Sequence, residues 1–102
     1  MNAITTHVLD LAAGRPRAGL AVHLARREAG VWRALADAVT DDDGRVRDWP
    51  GAPDPTAGDY RLTFVTGGYY PEVTVVFRVD GAGRHHVPLL LSPFGYTTYR
   101  GS

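Results

Sequence analysis

The sequence contains no cysteine and no lysine. Without cysteine no disulfide can staple the fold, so burial alone must hold it, and the composition fits a reducing compartment. All 11 basic residues are arginine, and 11 acidic residues balance them to a formal net charge of zero. The clustered positive excess that marks a nucleic-acid or anionic-membrane partner is therefore missing. Arginine suits planar, bidentate contact with carbonyl and anionic groups, although so uniform a choice also follows from genome composition. No apolar run approaches the ~20 residues of a membrane helix. Met1-Asn2-Ala3-Ile4 lacks the basic start and long apolar core of a secretion signal. These absences point to a cytoplasmic protein with no membrane or nucleic-acid partner. A helical pattern is lacking as well: apolar residues do not recur at three- and four-residue spacing over ten or more positions. The one candidate, Leu20 to Glu28, alternates and contains β-branched Val22, which favours a strand.

What is present is punctuation. Twelve glycines and seven prolines divide the 102 residues at short intervals. The length suits one domain spanning residues 1–102, burying roughly 60–70% of its unfolded surface. The runs between the turns have period two, as in an all-β sandwich. Ile4, Thr6 and Val8 point one way from the first run, and Thr5, His7 and Leu9 the other. Gly14-Arg15-Pro16 turns the chain. Leu20, Val22 and Leu24 share a face of the next strand, with His23 toward solvent. Glu28-Ala29-Gly30 reads as a hairpin turn into Val31 to Asp37. Thr40-Asp41-Asp42-Asp43-Gly44 is an acidic loop ending in a turn signal. Trp49 to Asp59, with three prolines and two glycines, predicts loop or irregular edge. Tyr60 to Thr66 and Glu72 to Asp80 are strands separated at Gly67-Gly68. Asp80-Gly81-Ala82-Gly83 turns into the last long strand, His85 to Leu91. Seven to eight strands and no helix predict a two-sheet sandwich with Greek-key connections.

Several polar residues stand where packing would not place them. His7 interrupts an otherwise apolar strand; alone, it reads as a histidine satisfied by backbone. Arg45 follows Asp43-Gly44, and in isolation such an arginine is a solvated loop residue. His85 and His86 are adjacent on a strand and must face opposite ways, so only one can serve a given site. The other is expected on the outer surface or in a different contact. The segment Tyr96-Thr97-Thr98-Tyr99-Arg100-Gly101-Ser102 carries aromatic and cationic side chains of the kind favoured at buried interfaces, or it is an edge strand that closes a sheet. Zinc would require three or four converging ligands; His7 and His86 supply two, so metal binding is not expected. Ser92 lacks the Gly-x-Ser-x-Gly context of a hydrolase nucleophile. Gly81-Ala82-Gly83 lacks the rest of a phosphate-binding fingerprint.

Three segments together resemble the 5-hydroxyisourate hydrolases, enzymatic relatives of transthyretin. They are Thr5-Thr6-His7-Val8-Leu9-Asp10 with Gly14-Arg15-Pro16, then Thr40 to Arg45, then His86-Val87-Pro88-Leu89-Leu90-Leu91-Ser92-Pro93 with Gly95 to Ser102. The final Tyr99-Arg100-Gly101-Ser102 is the most specific match. The resemblance implies a transthyretin-like (prealbumin-like) sandwich of two four-stranded sheets. It implies a homotetramer, a dimer of dimers with active sites at the dimer–dimer interface. It implies hydrolysis of 5-hydroxyisourate to 2-oxo-4-hydroxy-4-carboxy-5-ureidoimidazoline in urate degradation, with no metal or organic cofactor. It places catalysis on His7, Arg45 and His86 and substrate binding on Tyr99, Arg100, Gly101 and Ser102. The chain departs from the pattern where Gly67-Gly68-Tyr69-Tyr70 replaces a longer insert, so the family's short helix is expected to be absent. Thr97 stands where serine is usual. Arg84-His85 replaces the usual His-Tyr, so His85 inherits no role. Two other classes compete: a transthyretin-like carrier without chemistry, and an interaction module working through its loops. Two histidines facing an arginine suit the apolar channel of a carrier poorly.

Overall fold

The structure, a computed structural model, describes residues 4–81 and 83–102. Met1, Asn2 and Ala3, weighed above as the start of a signal, and Ala82, within the expected turn before His85, lie outside the described residues. Nine strand segments follow in chain order: β1 (Ile4–Asp10), β2 (Arg15–Pro16), β3 (Ala21–Glu28), β4 (Val31–Val39), β5 (Arg45–Val46), β6 (Gly58–Phe64), β7 (Val73–Val79), β8 (His85–Ser92) and β9 (Gly95–Thr98). No helix occurs among the described residues.

Alternation decides which way each strand faces. Ile4, Thr6 and Val8 of β1 are buried, as are Val22 and Leu24 of β3, Tyr60, Leu62 and Phe64 of β6, and Val87, Leu89 and Leu91 of β8. These inward faces close on one core, with Trp49 beneath them. Each fully buried aliphatic side chain contributes roughly 1.5–3 kcal/mol. Thr6 is polar yet 1% exposed; its hydroxyl is satisfied by donating to the Val87 carbonyl. Trp49 opens the proline-rich stretch and is 2% exposed. Its indole N–H donates to the Ile4 carbonyl at 2.9 Å, tying that loop to β1.

One sheet has the order β4-β3-β6-β7; the other runs β2-β1-β8-β9, with β5 also paired to β1. The second sheet therefore has five segments, where two four-stranded sheets were implied. The physical reason is that β2 and β5 are two residues each and occupy successive parts of one edge of β1. Leu9 and Asp10 pair with Pro16 and Arg15, and Thr6 and His7 pair with Val46 and Arg45. Arg15 and Pro16 thus form a short strand after the Gly14 turn, not the turn itself. β1 and β8 pair in parallel, Thr5 opposite His86 and His7 opposite Pro88. The Glu28-Ala29-Gly30 hairpin forms as expected, with positive φ at both Ala29 and Gly30, the signature of a primed turn.

The outer face of the four-stranded sheet is charged. Arg27 and Arg61 both stack on Trp32, at 4.6 and 4.8 Å from the ring centroid. His23 is exposed, as expected, and bonds to Asp37 at 2.6 Å.

Candidate functional site

The outer face of the five-segment sheet carries the other polar set, and strand register alone brings it together. Directly paired residues project to the same side of a sheet, as do residues two apart on one strand. Arg45 pairs with His7. Thr5, two residues from His7, pairs with His86. Gly101 bridges antiparallel to His86. Arg45, His7, Thr5, His86 and Gly101 therefore share one face, across strands spaced about 4.8 Å apart. A hollow of about 440 Å³ lies there, lined by Thr5, Thr6, Arg45, Arg47, Asp48, Arg84, His86 and Ser102.

The acidic loop presets Arg45. The Asp41 carboxylate accepts the backbone N–H groups of Asp43 and Arg45, each at 2.9 Å. The Arg45 N–H is the main cause holding the Asp41 pKa below the ordinary carboxylate value. Gly44 completes the turn at φ 75°, and its carbonyl accepts the Val8 N–H at 2.8 Å. A Cβ at Gly44 would lie 2.4 Å from the Val8 carbonyl oxygen. Only glycine lets this turn dock on β1 and lay Arg45 beside His7.

The two imidazoles are held differently. His7 Nε2 lies 2.8 Å from the Asp43 carbonyl; a carbonyl only accepts, so that nitrogen carries a proton. His86 is half-buried, and its Nδ1 shares a 2.8 Å hydrogen bond with Thr5 Oγ1. Its Nε2 has no partner among the described residues. Burial holds the His86 pKa below the ordinary imidazole value, and the positive charges of Arg45, His7 and Arg84 add to the effect. Both effects favour the neutral form of the His86 imidazole.

The last residues divide between two places. Gly101 and Ser102 lie with His86. Tyr99 and Arg100 line a neighbouring, mostly apolar hollow of about 300 Å³, together with Val75, Phe77, Arg78, His85, His86, Val87 and Thr98. His86 belongs to both hollows. Tyr96 to Thr98 continue as the edge strand β9. His85 faces inward and is 5% exposed, so it is not on the outer surface; it meets the smaller hollow that His86 also lines, and takes no part in the larger one. Thr5, Arg47, Asp48 and Arg84 were not singled out as site residues by the sequence. For Thr5 a signal existed, its shared face with His7; for the others, none did. Among the described residues, no three His, Asp or Glu side chains converge as metal ligands would.

The sequence model described as the HIUase/Transthyretin family matches residues 4–101. A 5-hydroxyisourate hydrolase of Caulobacter vibrioides is 41% identical over 116 aligned positions, covering all of both chains. The solved structure of the Klebsiella pneumoniae 5-hydroxyisourate hydrolase superposes with a TM-score of 0.84 at 35% identity, again over the whole of both chains. Sea bream transthyretin, solved in complex with thyroxine, superposes with a TM-score of 0.89 at 29% identity, covering 97% of this chain and 94% of the other.

Proposed function

The chain belongs to the HIUase/Transthyretin family and is an enzyme of the 5-hydroxyisourate hydrolase type; from that premise we propose that ring opening takes place on the outer face of the five-segment sheet, with His86 as the general base. The observation that carries this reading is the register that pairs Arg45 with His7, and His86 with Thr5 two residues away on the same face of β1. The substrate is 5-hydroxyisourate and the product 2-oxo-4-hydroxy-4-carboxy-5-ureidoimidazoline, a step of urate degradation.

Hydrolysis of a cyclic amide-like carbonyl needs a base for water and a donor for the developing oxyanion. In its favoured neutral form His86 has an Nε2 with no partner among the described residues to take the water proton, whereas the Nε2–H of His7 is committed to the Asp43 carbonyl. Hydroxide adds to the ring carbonyl. Arg45 faces the oxygen that gains charge and can clamp the planar ring with two N–H groups. The tetrahedral adduct collapses, the ring C–N bond breaks, and the His86 imidazolium returns its proton to the leaving nitrogen. His7 holds the ground beside Arg45. Gly101 and Ser102 wall the site against His86, and Tyr99 and Arg100 shape the approach from the neighbouring hollow. No step in this scheme uses a metal or organic cofactor.

We also propose a cytoplasmic homotetramer, a dimer of dimers with the sites in a shared channel. The free edges of β7 and β9 support an assembly, as do exposed Tyr69, Tyr70, Phe94 and Tyr96, whose rings contact one another. A monomer in sedimentation at micromolar concentration, with full activity, removes the shared channel.

The decisive test follows the absorbance decay of freshly generated 5-hydroxyisourate. Replacing His86 with alanine is expected to slow turnover by about 10²–10⁴-fold with the far-ultraviolet dichroism unchanged. Near-normal turnover overturns the assignment. A carrier leaves the spontaneous rate unchanged even in the unsubstituted protein.

A further inference from the structure

Thr5 holds the His86 ring by one edge. Its hydroxyl oxygen lies 2.8 Å from His86 Nδ1, and the parallel pairing of Thr5 with His86 makes the two side chains nearest neighbours across β1 and β8. The ring's opposite edge meets Gly101. The Gly101 N–H donates to the His86 carbonyl at 2.8 Å, and its bare Cα leaves room for the ring at Cδ2. These two contacts fix the plane of the imidazole and leave Nε2 without a partner among the described residues.

A neutral imidazole carries one proton, and a base acting through Nε2 must carry it on Nδ1. Nδ1–H then donates to Thr5 Oγ1, which accepts. When Nε2 gains the water proton, the ring becomes a cation with two N–H groups. The hydroxyl still accepts from Nδ1, now through a stronger, charge-assisted bond. A threonine hydroxyl has lone pairs for both states, so no group has to rearrange during proton transfer.

We propose that Thr5 is a positioning residue for this reaction, fixing His86 in the Nδ1–H tautomer so that the Nε2 lone pair faces the hollow. The inference rests on the reading of His86 as the base. The two imidazoles then donate through opposite nitrogens: His7 through Nε2 to the Asp43 carbonyl, and His86 through Nδ1 to Thr5.

The test is a two-bond proton–nitrogen correlation spectrum of uniformly ¹⁵N-labelled protein at pH 8, with kinetics on three variants. In the unsubstituted protein, His86 is expected to show a protonated Nδ1 and an unprotonated Nε2; the reverse pattern overturns the proposal without any variant. Thr5→Val keeps the β-branched shape and removes the acceptor. It is expected to shift His86 toward the Nε2–H form and to lower kcat by about 10–100-fold, less than loss of the base itself, with KM held within about threefold. Thr5→Ser restores both the spectrum and most of the rate. If Thr5→Val keeps the original tautomer and rate while His86→Ala is inactive, Thr5 has no positioning role and the base assignment survives. If His86→Ala is active, the reading of the site itself fails.

Discussion

Gly101 lies against the flat edge of the His86 imidazole: a Cβ on Gly101 would sit 2.6 Å from His86 Cδ2 and 3.3 Å from Cγ. Gly101 is not among the positive-φ glycines, so its backbone accepts alanine and only the contact forbids it. Gly101→Ala is therefore expected to rotate the His86 ring away from Thr5 and to lower kcat/KM by about 10-fold or more. Stability, read by urea denaturation, is expected to change by about 1 kcal/mol or less. An active variant with an unmoved ring in the nitrogen spectrum would show that Gly101 does not set the geometry.

Burial first, and the charges of Arg45, His7 and Arg84 after it, hold the His86 pKa below 6.5. A base works when deprotonated, so kcat/KM should rise with pH through that lowered value, on the acid side of 6.5. Arg84→Gln removes one positive charge, protonation becomes easier, and the limb moves to higher pH. The variant is expected to be slower than the original protein near pH 6 and equal to it at pH 8. Arg45→Gln moves the limb the same way, but its plateau also falls by about 10²–10³-fold with the oxyanion donor gone. A wild-type limb at or above 6.5, or no displacement in Arg84→Gln, contradicts this account.

The parts of the fold governed by neighbours in sequence were legible in it. Alternation put Ile4, Thr6 and Val8 on one face of the first strand, which the fold buries, and Glu28-Ala29-Gly30 read as a hairpin, because both follow from backbone geometry over a few residues. Cross-strand register was not legible. Thr5 and His86 are 81 positions apart, and nothing local specifies that they pair. The adjacency of His85 and His86 required opposite faces, yet which one met the core depended on the register of β8 with β1. The motif Tyr99-Arg100-Gly101-Ser102 reads as one unit. In the fold it splits: Gly101 bridges to His86 and Ser102 lines the larger hollow, while Tyr99 and Arg100 line the neighbouring one.

Tyr60 is 2% exposed, and its hydroxyl is a junction. It accepts the Thr56 N–H at 3.0 Å and the Arg26 Nε–H at 3.2 Å, and donates to the Thr56 carbonyl at 2.9 Å. The arrangement pins the proline-rich loop to the start of β6. Tyr60→Phe keeps the ring and strands those groups, which should lower unfolding free energy by about 1–3 kcal/mol in urea titration. Activity under native conditions should stay within about twofold, since the loop end is remote from the site's register contacts. A stability change within error would mean that water replaces the hydroxyl without cost.

Gly44 and Gly51 offer a controlled comparison. Both have positive φ, 75° and 81°, so alanine at either meets left-handed backbone strain of about 1–2 kcal/mol. They differ in what the new methyl would touch. At Gly51 nothing lies within 4 Å, whereas at Gly44 the Val8 carbonyl, Pro16 Cβ and Arg17 N lie at 2.4, 3.0 and 3.2 Å. Backbone and a proline ring cannot swing aside as a flexible side chain can. Gly44→Ala must therefore push the 40–45 turn off β1, and with it the pairing that sets Arg45 opposite His7. It is expected to cost at least about 1–3 kcal/mol more than Gly51→Ala and to lower kcat/KM by about 10-fold or more even when fully folded. Gly51→Ala should leave turnover unchanged. Equal losses of stability and activity in the two variants would mean that the contact between this turn and β1 does not position Arg45.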